Sequence, residues 1–158
     1  MSQVINPIKD TKTIKKDRMR FTKNTLSSTL CYLAILFNVF YFVNLYSTND
    51  KFYYNMQIGF SIIYNLLFLL FAFLCSEGVK NYSKGYSIVI SVMGLMQFVR
   101  IFGIPTSAHS EPDIMGDKQF LLICAYLIIS ASCCLASGII GYIKHTTLEE
   151  YKKETGLA

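Results

Sequence analysis

The stretch "MQIGFSIIYNLLFLLFAFLC", residues 56–75, decides the fold class. It contains twelve Ile, Leu or Phe residues, which at about −0.3 to −0.6 kcal/mol each favour insertion into a bilayer by roughly 5 kcal/mol. A bilayer core of about 30 Å is crossed by about 20 residues of helix. The stretch therefore predicts a transmembrane helix.

Three other apolar stretches have a similar length, and the whole chain is 53% hydrophobic against 16% charged, which exceeds the usual balance of soluble domains. Short connections make neighbouring helices antiparallel. We predict an all-α integral membrane protein with four transmembrane helices in an antiparallel up-down bundle. A basic leader (1–24) precedes the transmembrane domain (25–143), and a short helical tail (144–158) follows it. The predicted spans are 25–46, 56–76, 85–104 and 119–143.

The third span is the least apolar of the four because it contains Gln97 and Arg100. An arginine at the bilayer centre would cost about 2.5 to 3.5 kcal/mol. Pro105 follows Arg100 by five residues, and a proline after an apolar run usually ends a helix. We therefore expect Arg100 to lie near the end of its span.

The basic residues predict the orientation. Twelve of the fifteen lysines and arginines lie in the leader, the second loop and the tail, whereas the first and third loops hold only Lys51 and Lys118. By the positive-inside rule both termini are cytoplasmic. The leader is expected to contact anionic lipid headgroups, at about 1 kcal/mol per basic side chain. Nucleic-acid binding is not expected, because Phe21 is the leader's only aromatic residue. A bacterial plasma membrane is the predicted location.

Polar residues inside the spans are candidates for a site. At about 1.5 Å per residue from the predicted outer ends, Asn38, Gln97 and Asn65 lie about 10 to 14 Å deep. Tyr126 lies near the same level, as do Tyr41 and Tyr64, and Arg100 lies about a turn above it. The candidate pocket residues are Asn38, Asn65, Gln97, Arg100 and Tyr126. One interpretation is interhelical hydrogen bonding, worth about 0.6 to 2 kcal/mol per contact. The other is an outward-facing polar pocket in which Arg100 receives an anion or a lipid headgroup.

The Arg100 side chain has two other possible partners. It could extend to the headgroups, as long cationic side chains near a helix end commonly do. It could also meet Glu111 or Asp113, if the third loop folds back.

The fourth span carries small residues at four-residue spacing, a pattern that lets membrane helices approach closely. One interpretation is packing against the other helices of the same chain. The other is a docking face for a second subunit or a second copy, which requires the face to be exposed in the monomer. The two rows are Ser130, Cys134, Gly138 and Cys133, Ser137, Gly141.

Catalytic groups are scarce in the sequence. No Asp or Glu lies inside a predicted span, and no nucleophile-elbow, metalloprotease or phosphate-loop motif occurs. We therefore expect no enzyme activity, metal or cofactor. The sequence favours a non-catalytic subunit or homo-oligomer that packs through the fourth span. The alternative is a small transporter or a lipid- or anion-binding protein with a pocket around Arg100.

Overall fold

The computed structural model of the chain describes residues 23–47, 56–110 and 115–155. All regular secondary structure in these residues is helical, as expected where no water is present to pair with backbone groups. Apart from its last two residues, the basic leader lies outside the described residues. The helices are α1 (Thr25–Ser47), α2 (Met56–Lys80), α3 (Lys84–Arg100), α4 (Ile104–His109) and α5 (Asp117–Thr155).

Four segments of the described chain are long and apolar enough to cross a membrane. The four-helix membrane fold predicted from the sequence is confirmed, and the protein is a multi-pass membrane protein. The segments are Thr25–Tyr46, Gly59–Lys80, Lys84–His109 and Asp117–Lys153.

Neighbouring helices run antiparallel. The backbone amide of Asn24 donates a hydrogen bond to the backbone carbonyl of Lys80 at 2.9 Å, so the start of α1 lies beside the end of α2. Gln119 Nε2 donates to the Asn44 carbonyl at 3.1 Å, which joins the start of α5 to the end of α1. We call the two ends of the bundle the Lys80 end and the Arg100 end; the orientation predicted above makes the Arg100 end the outer one.

The four spans do not pack equally closely. Helix α5 packs along both α3 and α1, and α2 packs against α1. The contact between α2 and α3 is the least extensive of the four neighbouring pairs. The α2–α3 seam is therefore the least closely packed contact between neighbouring helices.

Polar contacts join the helices at the Lys80 end. Asn24 caps α1, since its Oδ1 accepts a hydrogen bond from the Ser27 amide at 3.4 Å. The same Oδ1 accepts from Lys144 Nζ of α5 at 2.9 Å. Nδ1 of His145 lies 2.6 Å from the carbonyl oxygen of Tyr82, in the turn between α2 and α3. These contacts hold α1, α5 and the α2–α3 turn together.

The third span differs from its prediction. Helix α3 ends at Arg100, residues 101–103 form a turn, and α4 begins at Ile104 with Pro105 in its first turn. The prediction that Pro105 ends a helix is therefore wrong. Proline lacks an amide hydrogen, and amides in the first turn of a helix need no intrahelical partner, so proline is tolerated there. The apolar segment extends to His109.

The tail also differs from its prediction. Helix α5 continues from the fourth span to Thr155, so the described part of the tail is not a separate helix. The hydroxyl of Thr147 donates to the Ile143 carbonyl at 3.0 Å, as it does inside a helix rather than at its start. No glycine or proline interrupts residues 142–155, so nothing breaks the helix there.

Candidate functional site

A chain of buried amides links α1, α2 and α3. Gln97 Nε2 donates to Asn38 Oδ1 at 2.9 Å, and Asn38 Nδ2 donates to Asn65 Oδ1 at 3.4 Å. Asn65 Nδ2 in turn donates to the Ser61 carbonyl at 2.9 Å. The three amide side chains are buried, where polar groups need partners. The amide chain therefore fixes the three helices at one level and leaves Gln97 Oε1 available as an acceptor.

Arg100 lies next to this chain, with its side chain directed into the bundle. Its Nη1 is 3.5 Å from Gln97 Oε1, and its Nη2 is 3.3 Å from Ser61 Oγ. The guanidinium carbon lies 4.4 Å from the ring centre of Tyr41 and 4.8 Å from that of Tyr64. Cations at such distances are attracted to aromatic faces. The two rings therefore position the guanidinium between α1 and α2.

The charge of Arg100 is not neutralised by the part of the chain that the structure describes. The ion pairs found there involve other residues. Glu111 and Asp113, the alternative partners considered above, lie outside it. A guanidinium has five N–H donors, and both hydrogen bonds from Arg100 are longer than the usual range of about 2.7 to 3.2 Å. The guanidinium therefore has donors left for an anion.

Two tyrosine hydroxyls lie close to the same place. The side chains of Tyr41 and Tyr46 both adjoin Ser61. Their hydroxyl groups are buried and make no hydrogen bond of good geometry with the described residues, although Ser61 lies close to both and Arg100 lies close to that of Tyr41. A buried, unpaired polar group costs about 1 to 3 kcal/mol. A polar atom bound beside Ser61 would relieve this cost.

A cavity of about 660 Å³ opens beside Arg100, between α2 and the segment formed by α3 and α4. We call it the Arg100 cavity. Arg100 and Ser61 contribute polar groups, and most other lining residues are apolar. Its volume lies in the range of small-molecule sites, about 300 to 1,000 Å³. The rim residues Phe60, Ile63 and Val99 are 66%, 56% and 64% exposed, so the cavity opens towards the lipid-facing side of the bundle.

The structure places four of the five predicted pocket residues together and the fifth elsewhere. Arg100 lines the cavity, and the three amides lie behind it. Tyr126 is elsewhere, because its ring packs against Phe37 and Phe40 of α1 at centroid distances of 6.3 and 5.8 Å. Its inclusion in the cluster was wrong: counting residues gives the depth of a side chain but not its direction around the helix. The pocket was predicted to be polar, but most of the residues that line the Arg100 cavity are apolar.

The small residues of the fourth span face the inside of the bundle. Ser130 Oγ donates to the Ala34 carbonyl at 2.9 Å, and Ser137 Oγ donates to the Ser27 carbonyl at 2.7 Å. Cys134 is fully buried, and Cys133 packs against the same core cluster. The docking hypothesis required this face to be exposed in the monomer, and that expectation is wrong.

The two glycines of this face allow close contact between α5 and α3. A Cβ atom at Gly138 would lie 2.7 Å from the Ser87 carbonyl oxygen, and one at Gly141 would lie 2.6 Å from Ser87 Oγ. These distances are shorter than van der Waals contact, so no larger residue fits without movement. Gly94 has the same role on α3, where a Cβ would lie 3.0 Å from the Ala131 carbonyl oxygen.

Ser61 was not selected from the sequence, and Tyr41 and Tyr64, although placed at the same depth as Tyr126, were not included in the predicted pocket. Ser61 precedes Asn65 by four residues, a spacing that places two side chains on one face of a helix. That spacing could have identified it. Both tyrosines lie within about a turn of an amide residue, but depth alone does not distinguish them from Tyr126.

Comparisons with known protein families, with curated proteins and with solved structures find no match.

The amide chain leads to a prediction about stability. We expect Asn38→Ala and Gln97→Ala to be coupled, because each removes the same hydrogen bond. The expected coupling energy is about 0.6 to 2 kcal/mol, the range found between membrane helices. A double-mutant cycle of unfolding free energies in mild detergent measures it. Strict additivity of the two variants would contradict the contact.

Proposed function

We propose that the protein is a non-catalytic membrane protein that binds an anionic lipid in the Arg100 cavity. The observation that supports this most strongly is the guanidinium of Arg100. It is half-buried at the wall of an apolar cavity and has no carboxylate partner in the described chain. A cation inside a membrane span is costly unless it is paired. An anionic group in the cavity would pair with it.

The rim of the cavity favours a lipid over a water-soluble anion. Its exposed side chains are apolar and would face hydrocarbon in a membrane, so a ligand would enter from the bilayer. In the predicted orientation this is the outer leaflet. The basic leader, also predicted to contact anionic lipids, would lie on the opposite side.

The chemistry of the cavity favours binding over catalysis. A guanidinium keeps its proton at physiological pH, and no His, Asp or Glu lines the cavity in the described residues. The groups available are hydrogen-bond donors and apolar walls. Such a set can hold and orient a ligand.

The competing proposal, a subunit that assembles through the fourth span, loses its structural basis because that face is buried within the chain. Assembly through another surface is a separate hypothesis. The bacterial plasma membrane stays a prediction.

The test compares two lipids with identical acyl chains and different headgroups, phosphatidylglycerol and phosphatidylcholine. Purified full-length protein in mild detergent is titrated with each, and bound lipid is counted by native mass spectrometry. One charge-assisted contact is worth about 1.5 to 3 kcal/mol, so we expect the anionic lipid to bind at least about tenfold more tightly.

Ionic strength serves as the control for the leader. At about 1 M salt the Debye length is about 3 Å, which suppresses attraction of lipid to exposed lysines. Binding in the cavity should persist under these conditions. Equal binding of the two lipids, or a preference abolished by salt, would contradict the proposal.

A further inference from the structure

A second cavity, of about 230 Å³, continues the Arg100 cavity along the α2–α3 seam. The two share Tyr64, Leu67 and Met96 in their walls. From Ser61 in the first cavity to Phe71 in the second is ten residues of α2, or about 15 Å along the helix. Together they form one groove, which we call the seam groove. It is polar at the Arg100 end and apolar along the rest of its length.

We propose that the seam groove holds one acyl chain of a lipid whose anionic head contacts Arg100. This inference rests on the function proposed above and adds the class of ligand. The ligand is an amphiphile with a carboxylate or phosphate head and an acyl chain that lies lengthwise between α2 and α3.

The order of groups along the groove matches a lipid lying in a bilayer. Arg100 is the last residue of α3, and Val99 and Ser107 beside it line the part of the groove nearest the Arg100 end of the bundle. Val92, which lines the inner part of the groove, lies eight residues before Arg100 on α3, or about 12 Å deeper. A head at Arg100 therefore places its chain towards the bilayer centre.

The shape of the seam favours a single chain. The inner cavity is smaller than the outer one, with a volume of about 230 Å³ against about 660 Å³. Phe68 is 3% exposed and belongs to the hydrophobic core, against which Met93 also packs. These two residues form the floor of the inner cavity, so the groove is closed on the core side and open to lipid on the other.

Shape rather than hydrophobicity should determine which chain binds. A chain that moves from lipid into the groove exchanges one apolar environment for another. The favourable binding free energy must therefore come from close packing. We therefore expect an optimum chain length, set by the residues at the inner end of the groove.

The experiment measures binding against chain length. Full-length protein in mild detergent is titrated with saturated carboxylates from octanoate to stearate, and occupancy is counted by native mass spectrometry. A parallel series of alkyl phosphates shows which head is preferred. We expect occupancy to rise with chain length to an optimum in the preferred series.

Phe71→Ala lengthens the groove and should move the optimum to longer chains. Phe73→Ala is the matched control, since Phe73 lies on the same helix, is 50% exposed against 48% for Phe71, and does not line the groove. The control should keep the wild-type optimum.

A second variant tests the junction of the two cavities. Met96→Trp narrows it and should remove the preference for longer chains while short carboxylates still bind. Leu95→Trp is its control, because Leu95 is similarly exposed and lines a different crevice.

A chain-length profile that is unchanged in both Phe71→Ala and Met96→Trp would overturn the acyl-chain inference. If phosphatidylglycerol were still preferred to phosphatidylcholine in that case, the proposed function would stand without the acyl-chain inference. Equal binding of these two lipids would overturn both.

Discussion

Gly138→Leu is expected to prevent the bundle from folding stably. The glycine lies where α5 crosses α3, and even a Cβ atom there would approach the Ser87 carbonyl oxygen to 2.7 Å. Overpacking a close contact costs about 1 to 3 kcal/mol, and occasionally more. We expect Gly138→Leu to lower the free energy of unfolding by at least about 3 kcal/mol, because the contacted atoms include backbone atoms. Reaction with a thiol-specific dye during heating measures the loss, since Cys31, Cys75 and Cys134 are buried in the folded protein.

Gly59→Leu provides the control for Gly138→Leu. Apart from the neighbouring backbone of its own helix, no atom of the described residues lies within 4 Å of the position that a Cβ at Gly59 would occupy, so this variant should unfold near the wild-type temperature. A Gly138→Leu protein that unfolds like wild type but loses a bound partner would contradict the internal position of this face. It would restore the docking hypothesis.

Arg100→Leu is expected to abolish the preference for anionic lipid. Loss of a charge-assisted contact worth about 1.5 to 3 kcal/mol corresponds to a decrease in affinity of roughly 10- to 150-fold. The stability of the lipid-free protein should change little, because removing a charge that the described residues leave unpaired offsets the loss of its contacts with Gln97, Ser61 and the two tyrosine rings. Lipid titrations combined with thermal unfolding measure both quantities.

Two further variants separate charge from geometry. Arg100→Lys keeps the charge but loses the planar fork and the stacking between Tyr41 and Tyr64, so we expect affinity between those of wild type and Arg100→Leu. Lys84→Leu removes a cation from the opposite end of the same helix and should bind lipid normally. Equal losses in Arg100→Leu and Lys84→Leu would indicate a general charge effect and would contradict the site.

The helices were predictable from the sequence because apolar length is a direct requirement for crossing a bilayer. The break after Arg100 was not, because a proline that follows an apolar run can either end one helix or begin the next. The continuation of α5 past residue 143 was missed for a related reason. The composition changes from apolar to charged there, but a change in composition does not itself end a helix.

The depth of the site residues within the spans was predictable from the sequence, but the direction of their side chains around each helix was not. Asn38, Asn65 and Gln97 could be placed at one level by counting residues, and a buried amide must find a partner. Tyr126 has a similar depth but points elsewhere. Small-residue spacing identified the packing face of the fourth span without showing what covers it. Helix α1 covers the serines of this face, and α3 covers its glycines with Ser87 and Ser91, which are also closely spaced small residues.

Photochemical cross-linking locates the bound lipid. An anionic phospholipid with a diazirine in its acyl chain is incorporated into vesicles containing the full-length protein, illuminated, and mapped by peptide mass spectrometry. We predict cross-links in residues 60–71 and 92–107, on the two sides of the α2–α3 seam, and their loss in Arg100→Leu. Cross-links spread evenly over all four spans, or unchanged in Arg100→Leu, would contradict a lipid site at Arg100.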